Sequence, residues 1–375
     1  MKPGGTADSW TFDHNAGGPP DAEVLACFVE VQRSVPANPA SQHAPGRRAR
    51  AVLEDARARI AAALGLGADD VVFTSGGTEA ANLAVAGLGV PELPVLLSAA
   101  EHPAVLEPAQ RRGCRWWGVT ADGAACVEPP REPVGLLALV HAQGEVGTLQ
   151  PVAAATALAH QLRVPLVIDL AQSLGRVPID GLLVPGTVAL VAPHKCGGLR
   201  GHGVVAGAGL VDHLRAQQLG GAQEHGRRAG TQSPALAAAN ALAVERAVAH
   251  CRARGAAMLA VRTAFVDTLL ASAAACVLVT PLANSVPNTV MLRFPGIDGR
   301  NLLPALDLAG VHASHGSACS SGAAVPPRIL LALGLDEAAA RTCVRFSFAG
   351  DEPLAHVQRG AQRTAEVVAR LQKKK

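Results

Sequence analysis

Short runs of β-branched and aliphatic residues alternate along the chain with longer Ala/Leu/Arg-rich segments whose apolar positions recur at helical spacing. Continuous apolar runs suit strands buried on both faces, and their alternation with amphipathic helices is the pattern of a largely parallel sheet with crossover helices. Asp70–Thr74, Val95–Ser98, Gly135–His141, Val164–Asp169 and Thr187–Ala192 read as such strands. Each ends in polar or glycine-rich residues. Ligands of open α/β sheets bind beyond the carboxyl ends of strands, so the chemistry is to be sought there. From Pro234 to about Ala275 the sequence is strongly helical, with a break placed near Gly255. Two further apolar runs follow, Cys276–Thr280 and Asn288–Phe294, then a Gly/Ser-rich stretch, Ala313–Ala323, and a closing helix from Pro353. The expected division is a large domain over 13–255 and a smaller C-terminal α+β domain over 256–375, with residues 1–12 packed on the latter.

Composition narrows the function more than the fold. The chain has 375 residues, 49% of them apolar, enough for a substantial core in two domains. A net charge of +3, arginines scattered among acids, and only 3% aromatic residues exclude a nucleic-acid footprint. The longest apolar stretches, such as Gly181–Pro193, are interrupted by Pro and Gly and fall short of the ~20 residues a membrane helix needs, so no membrane partner is expected. Met1–Trp10 is polar and Gly-rich with no hydrophobic stretch of a secretory signal, and the expected compartment is cytoplasmic. Eight cysteines without a C-x-x-C pair suit reduced thiols. Of 33 Lys and Arg only five are Lys, at positions 2, 195, 373, 374 and 375. A mechanism that needs an amine nucleophile inside the fold therefore has one candidate, Lys195.

Five constellations carry chemistry. S-G-G-T-E-A-A-N, Ser75–Asn82, follows a strand and opens an Ala-rich helix, so its backbone N–H groups suit a phosphate; a plain capped helix is the alternative. Asp169 ends a buried-looking run, where a carboxylate stays ionised only beside a cation or a strong donor, and Gln172 follows it; a strand-end cap is the alternative. Lys195, in A-P-H-K after another strand, is placed for a depressed pKa and Schiff-base formation unless it is a surface lysine. Cys319, in the polar loop S-H-G-S-A-C-S-S-G near His315, suits a thiolate nucleophile or an incidental loop thiol. Arg345, in V-R-F-S-F, is a guanidinium able to hold a carboxylate bidentately, or a salt-bridge partner.

Phosphate cradle, acid, Schiff-base lysine and carboxylate clamp together specify pyridoxal 5'-phosphate (PLP) chemistry, and the thiol narrows it further. With F-D-H-N-A (Phe12–Ala16), E-H-P-A-V (Glu101–Val105), G-E-V-G-T-L-Q-P (Gly144–Pro151), H-K-C-G-G-L-R-G (His194–Gly201) and G-G-A-Q-E-H-G-R-R-A-G-T (Gly220–Thr231) in the same order, the chain resembles the group I cysteine desulfurases of the class V aminotransferase-like PLP enzymes. The resemblance implies a PLP-dependent transferase of fold type I and a homodimer. It implies Lys195 as the cofactor-anchoring lysine, His102 stacked on the ring and moving protons, Asp169 on the ring nitrogen and Gln172 on the ring hydroxyl. Gly77, Thr78 and His194 would hold the phosphate, with Thr231 reaching the neighbouring subunit's site. Arg345 and Asn15 would bind the substrate, L-cysteine. Cys319 would receive the sulfur as a persulfide, leaving L-alanine, and pass it to an acceptor protein or small molecule, as in iron–sulfur cluster biosynthesis.

Four departures from the family pattern thin the polar contacts: Gly17-Gly18 for Thr-Thr, Gln143-Gly144-Glu145 for N-N-E, Ala192 for Ser/Thr, and Leu199-Arg200 for P-K. The nearest alternative activity is a selenocysteine lyase or another class V lyase or aminotransferase on a different amino acid. The runs His194-x-Cys196-x5-His202 and His312-x2-His315-x3-Cys319 resemble metal ligands, but both coincide with PLP-family motifs, and no metal is expected.

Overall fold

The computed structural model describes residues 9–209, 211–272, 274–316 and 326–373. The chain opens with β1 (Trp10–Thr11), α1 (Ala22–Ser34) and α2 (Ala44–Leu64). An α/β succession follows: β2 (Val71–Thr74), α3 (Gly77–Gly87), β3 (Val95–Ser98), α4 (Pro103–Arg112), β4 (Cys114–Trp117), β5 (Leu136–Val140), α5 (Val152–Leu162), β6 (Leu166–Asp169), β7 (Thr187–Val191) and β8 (Gly203–Ala206). Two long helices, α6 (Pro234–Ala249) and α7 (Cys251–Leu270), lead to β9 (Val277–Leu278) and β10 (Thr289–Arg293). The chain continues through α8 (Gly299–Asp307), β11 (Val311–His312), α9 (Arg328–Ala332), α10 (Glu337–Ala340), β12 (Cys343–Ser347) and α11 (Leu354–Gln372).

The main sheet has seven strands in the order β2-β8-β7-β6-β5-β3-β4. Its β7-β6-β5-β3-β4 part is parallel, and β8 runs antiparallel between β7 and β2. Side-chain alternation divides each strand between two cores, as the twofold period of a strand requires. Phe73, Leu137, Leu139, Leu166 and Ile168 face α2, α5 and α6, whereas Val72, Leu136, Ala138, Val167 and Leu190 face α3 and α4. A third core joins Trp10 and Phe12 to α7, α8, α11 and the antiparallel strands β10 and β12. There Phe12, Phe265, Phe346 and Phe348 stack on one another with centroids 4.8 to 6.4 Å apart.

All five expected strands form within a residue or two of their expected bounds. The helix break falls at His250 instead of Gly255, which lies inside α7. A Cβ at Gly255 would meet the Arg176 carbonyl oxygen at 2.8 Å, so this glycine serves close packing of α7 against the loop after β6. No helix among the described residues is long and apolar enough to cross a membrane. The described cysteines are all free thiols.

Candidate active site

The carboxyl ends of β5, β6 and β7, the start of α3, the N-terminal segment and β12 enclose a cavity of about 230 Å³. Asn15, Gly77, Thr78, His102, Asp169, Gln172, His194, Lys195 and Arg345 all line it. Thr231 does not, being exposed on the loop before α6, and Cys319 lies outside the described residues.

Each polar group owes its position to a strand or helix end. Asp169 is the last residue of β6, register partner of Val140 on β5 and Leu190 on β7, and only 9% exposed. Its Oδ1 accepts the Ala171 N–H at 2.8 Å. Burial pushes its carboxyl up, against the pull of that N–H and of His102 and Lys195. Lys195 sits in a single tight turn, Pro193–Lys195, directly after β7, and its Nζ donates to the carbonyls of Asn15 at 2.5 Å and Ala16 at 3.1 Å. His194, half-buried beside Lys195 and Arg200, is pushed down to about 4 chiefly by burial, so its imidazole is neutral.

α3 begins at Gly77 with no side-chain cap, leaving N–H groups and the positive end of the helix facing the cavity where Gly77 and Thr78 line it. The bend before it is tightly packed, since a Cβ at Gly203 on β8 would meet the Gly76 carbonyl carbon at 2.4 Å. His102 caps α4, its Nδ1 accepting the Ala104 N–H at 3.1 Å. That bond leaves Nε2 as the ring nitrogen available to carry a proton.

Arg345 projects from β12 and is 3% exposed. Its Nη1 donates to the carbonyls of Gly144 at 3.0 Å and Gly316 at 2.7 Å, its Nη2 to Asp13 at 2.7 Å, and its buried Nε has no acceptor among the described residues. Asn15, 1% exposed, spends its side chain on a buried network. Nδ2 donates to Gly144 and Thr289, and Oδ1 accepts from Arg176 and Asn288. What it presents at Lys195 is its backbone carbonyl, which also accepts from Gln172 Nε2 at 3.1 Å.

Asp13, Glu101, Glu145 and Arg176, with the backbone carbonyl of Ala16, are further polar groups of this region that carry no individual signal in the sequence. Asp13, Ala16, Glu101 and Glu145 lie inside motifs quoted above, and only their neighbours were assigned roles. Of the two metal-like runs, Cys196 donates to the Pro193 carbonyl and His202 packs on Phe73 with ring centroids 4.8 Å apart. His312 bonds Ser9 and Asp307, and His315 bonds the Cys343 carbonyl. Among the described residues no three His, Cys, Asp or Glu are grouped to hold a metal.

A strand-end lysine, a buried strand-end acid and an uncapped helix start on one cavity define an enzyme of the α/β cofactor-binding type. The Aminotransferase class-V family model matches residues 11–359, and the chain belongs to that family. It is 32% identical to an IscS-like cysteine desulfurase of Mycobacterium tuberculosis, over 96% of this chain and 97% of that protein. It is equally 32% identical to a cysteine desulfurase of Frankia sp., over 96% and 91%. A solved NifS-like protein superposes with a TM-score of 0.85 at 27% identity, covering 96% of this chain and 99% of the other.

Proposed function

We propose that the protein is a PLP-dependent cysteine desulfurase that takes sulfur from L-cysteine, releases L-alanine and passes the sulfur to an acceptor. The observation that carries this reading is the convergence of Lys195, Asp169 and the start of α3 on one cavity, in a chain with no other lysine between residues 3 and 372. The cavity fits the cofactor by the chemistry of its donors: an amine, a buried anion and an uncapped helix N-terminus match an aldehyde, a protonated ring nitrogen and a phosphate. When bound, PLP supplies the electron sink for bond breaking at the amino-acid carbons.

The protein's own groups do the rest. The first turn of α3, with neutral His194 beside it, would take the phosphate. Asp169, oriented by the Ala171 N–H, would hold the ring nitrogen's proton, and that cation would return its carboxyl toward the ordinary range. Gln172 would face the ring hydroxyl. His102, its Nδ1 occupied by the helix it caps, would stack on the ring and move protons through Nε2. Lys195 would anchor the cofactor and exchange protons at Nζ. Arg345 would receive the substrate carboxylate in exchange for Asp13, one carboxylate replacing another on the same guanidinium.

Cys319 is assigned the sulfur-accepting role from its sequence motif. Its thiol gains the substrate sulfur as a persulfide while L-alanine leaves, so a thiol and L-cysteine become a persulfide and L-alanine. A second copy of the chain would bring the exposed Thr231 to the phosphate.

The test is an absorbance spectrum of the purified protein with PLP, before and after L-cysteine, with assays for alanine and sulfide. A visible cofactor band, perturbed by cysteine and accompanied by alanine, supports the reading. Lys195→Ala should abolish the band. A protein that stays colourless with added PLP overturns the cofactor assignment, and Cys319→Ala with full sulfur release overturns the persulfide step.

A further inference from the structure

Glu101 is a buried acid that the functions assigned above do not use. It lies in the turn after β3, between cavity-lining Ala100 and His102, and is 6% exposed. β5 runs past the end of β3, which leaves the Val140 N–H on that side without a strand partner. Glu101 Oε1 accepts it at 2.8 Å. Val140 is itself a cavity wall and the register partner of Asp169. One carboxyl therefore joins the turn that presents His102 to the strand end beside Asp169.

Its other oxygen, Oε2, is buried with no partner among the described residues. An ionised carboxylate is far costlier to leave there than a protonated one. The groups around it add no compensating cation. Asp169 faces it from β6, and no Lys, Arg or His bonds to it among the described residues. On β5, His141 follows Val140 and is kept neutral by burial, which pushes it down to about 4. Burial likewise pushes the Glu101 carboxyl up to about 8, with the Val140 N–H pulling the other way and the Asp169 charge adding to the rise.

We propose that Glu101 is a positioning residue for the cofactor: its carboxyl pins the turn carrying Ala100 and His102 to the end of β5, and does so as an uncharged acid, leaving Asp169 the only anion of the pair. A second negative charge here would compete with Asp169 for the ring nitrogen's proton. An uncharged pin gives the alignment without that competition. The inference rests on the cavity being the PLP site, but its protonation half stands on the protein alone.

Two variants and three readouts test it. Glu101→Gln keeps an acceptor for Val140 and carries no charge, whereas Glu101→Ala leaves that N–H buried and unpaired. With PLP bound, Glu101→Ala should raise the cofactor dissociation constant roughly 5- to 100-fold. Glu101→Gln should restore it and leave the pH midpoint of the visible band in place. In the cofactor-free protein, the Tm advantage of Glu101→Gln over the wild type should grow from pH 5 to pH 8, because only the wild type must then ionise a buried acid. A band midpoint displaced by about a unit in Glu101→Gln, or a flat Tm difference over that range, overturns the uncharged assignment. Unchanged cofactor affinity in Glu101→Ala overturns the positioning role. If the wild type binds no PLP, the functional reading fails, and the Tm series still decides the protonation state.

Discussion

Arg345 shows what single residues give away in a sequence and what they withhold. Its side-chain type, in V-R-F-S-F, suits a carboxylate clamp, but nothing in the sequence marks Asp13, 332 residues away, as its partner. That pairing is a product of the parallel bridge between Asp13 and Ser347, which tertiary packing alone creates. The same holds for Lys195, whose type and motif are visible while its acceptors are backbone carbonyls that no side-chain pattern reports. Glu101 is illegible for a related reason: a carboxylate next to a histidine reads as surface charge, and only the fold brings the end of β5 beside it. The planar fork of Arg345 serves three separate acceptors, so Arg345→Lys keeps the charge but loses the geometry. Its KM for L-cysteine should rise by about 10- to 100-fold, with the cofactor band unchanged, as steady-state kinetics and absorbance would show.

Among elements, the strands buried on both faces were the most legible, because a continuous β-branched run has few other uses. β8 was not, since four residues inside a glycine-rich stretch carry no alternation and run antiparallel between β7 and β2. β12 was equally hidden, its arginine reading as chemistry although the whole strand is buried. The helix break was misplaced for a physical reason as well. Gly255 lowers helix propensity, but its missing Cβ is used for contact with the Arg176 carbonyl, and the break falls at His250. A comparable contact supports the helix start that faces the cavity. In Gly203→Ala the new methyl must displace the Gly76 backbone, shifting α3's first N–H groups. PLP affinity should drop about 10-fold or more while the thermal transition remains cooperative, measured by titration and calorimetry. Unchanged affinity would separate that bend from the phosphate site.

At the scale of the whole molecule, buried titratable groups set how stability responds to pH. His141, His194 and His202 are pushed down to about 4, chiefly by burial, so between pH 6.5 and 4 the unfolded chain binds protons that the folded one refuses. Their contribution is complete above pH 6.5 and is lost as pH falls toward 4. Glu101 acts in the opposite sense: its folded value lies above the ordinary one, so its contribution is complete below about pH 4.5 and is lost as pH rises toward 8. Three histidines outweigh the two raised acids, Glu101 and Asp169, on the acidic side, and no histidine opposes the acids above pH 6.5. The cofactor-free protein should therefore reach its highest Tm between about pH 6 and 7. His202→Phe, which keeps a ring against Phe73, should flatten the acidic limb in a pH series of melting curves; an acidic limb as steep as the wild type's would remove His202 from the account.

The N-terminal strand is short, yet it reaches both halves of the architecture. Trp10 and Phe12 are seated in the core of α7, α8 and α11, and within four residues the same segment delivers the Asn15 and Ala16 carbonyls to Lys195. A protease cut or a deletion before residue 17 would therefore be an active-site lesion as much as a trimmed end. It would strip Lys195 of two acceptors, unpair β11 and free Arg345 from Asp13 in a single event. The Lys195 amine and the fit of the C-terminal layer thus depend on one strap of backbone, and hydrogen exchange at residues 10–16 would report on both at once.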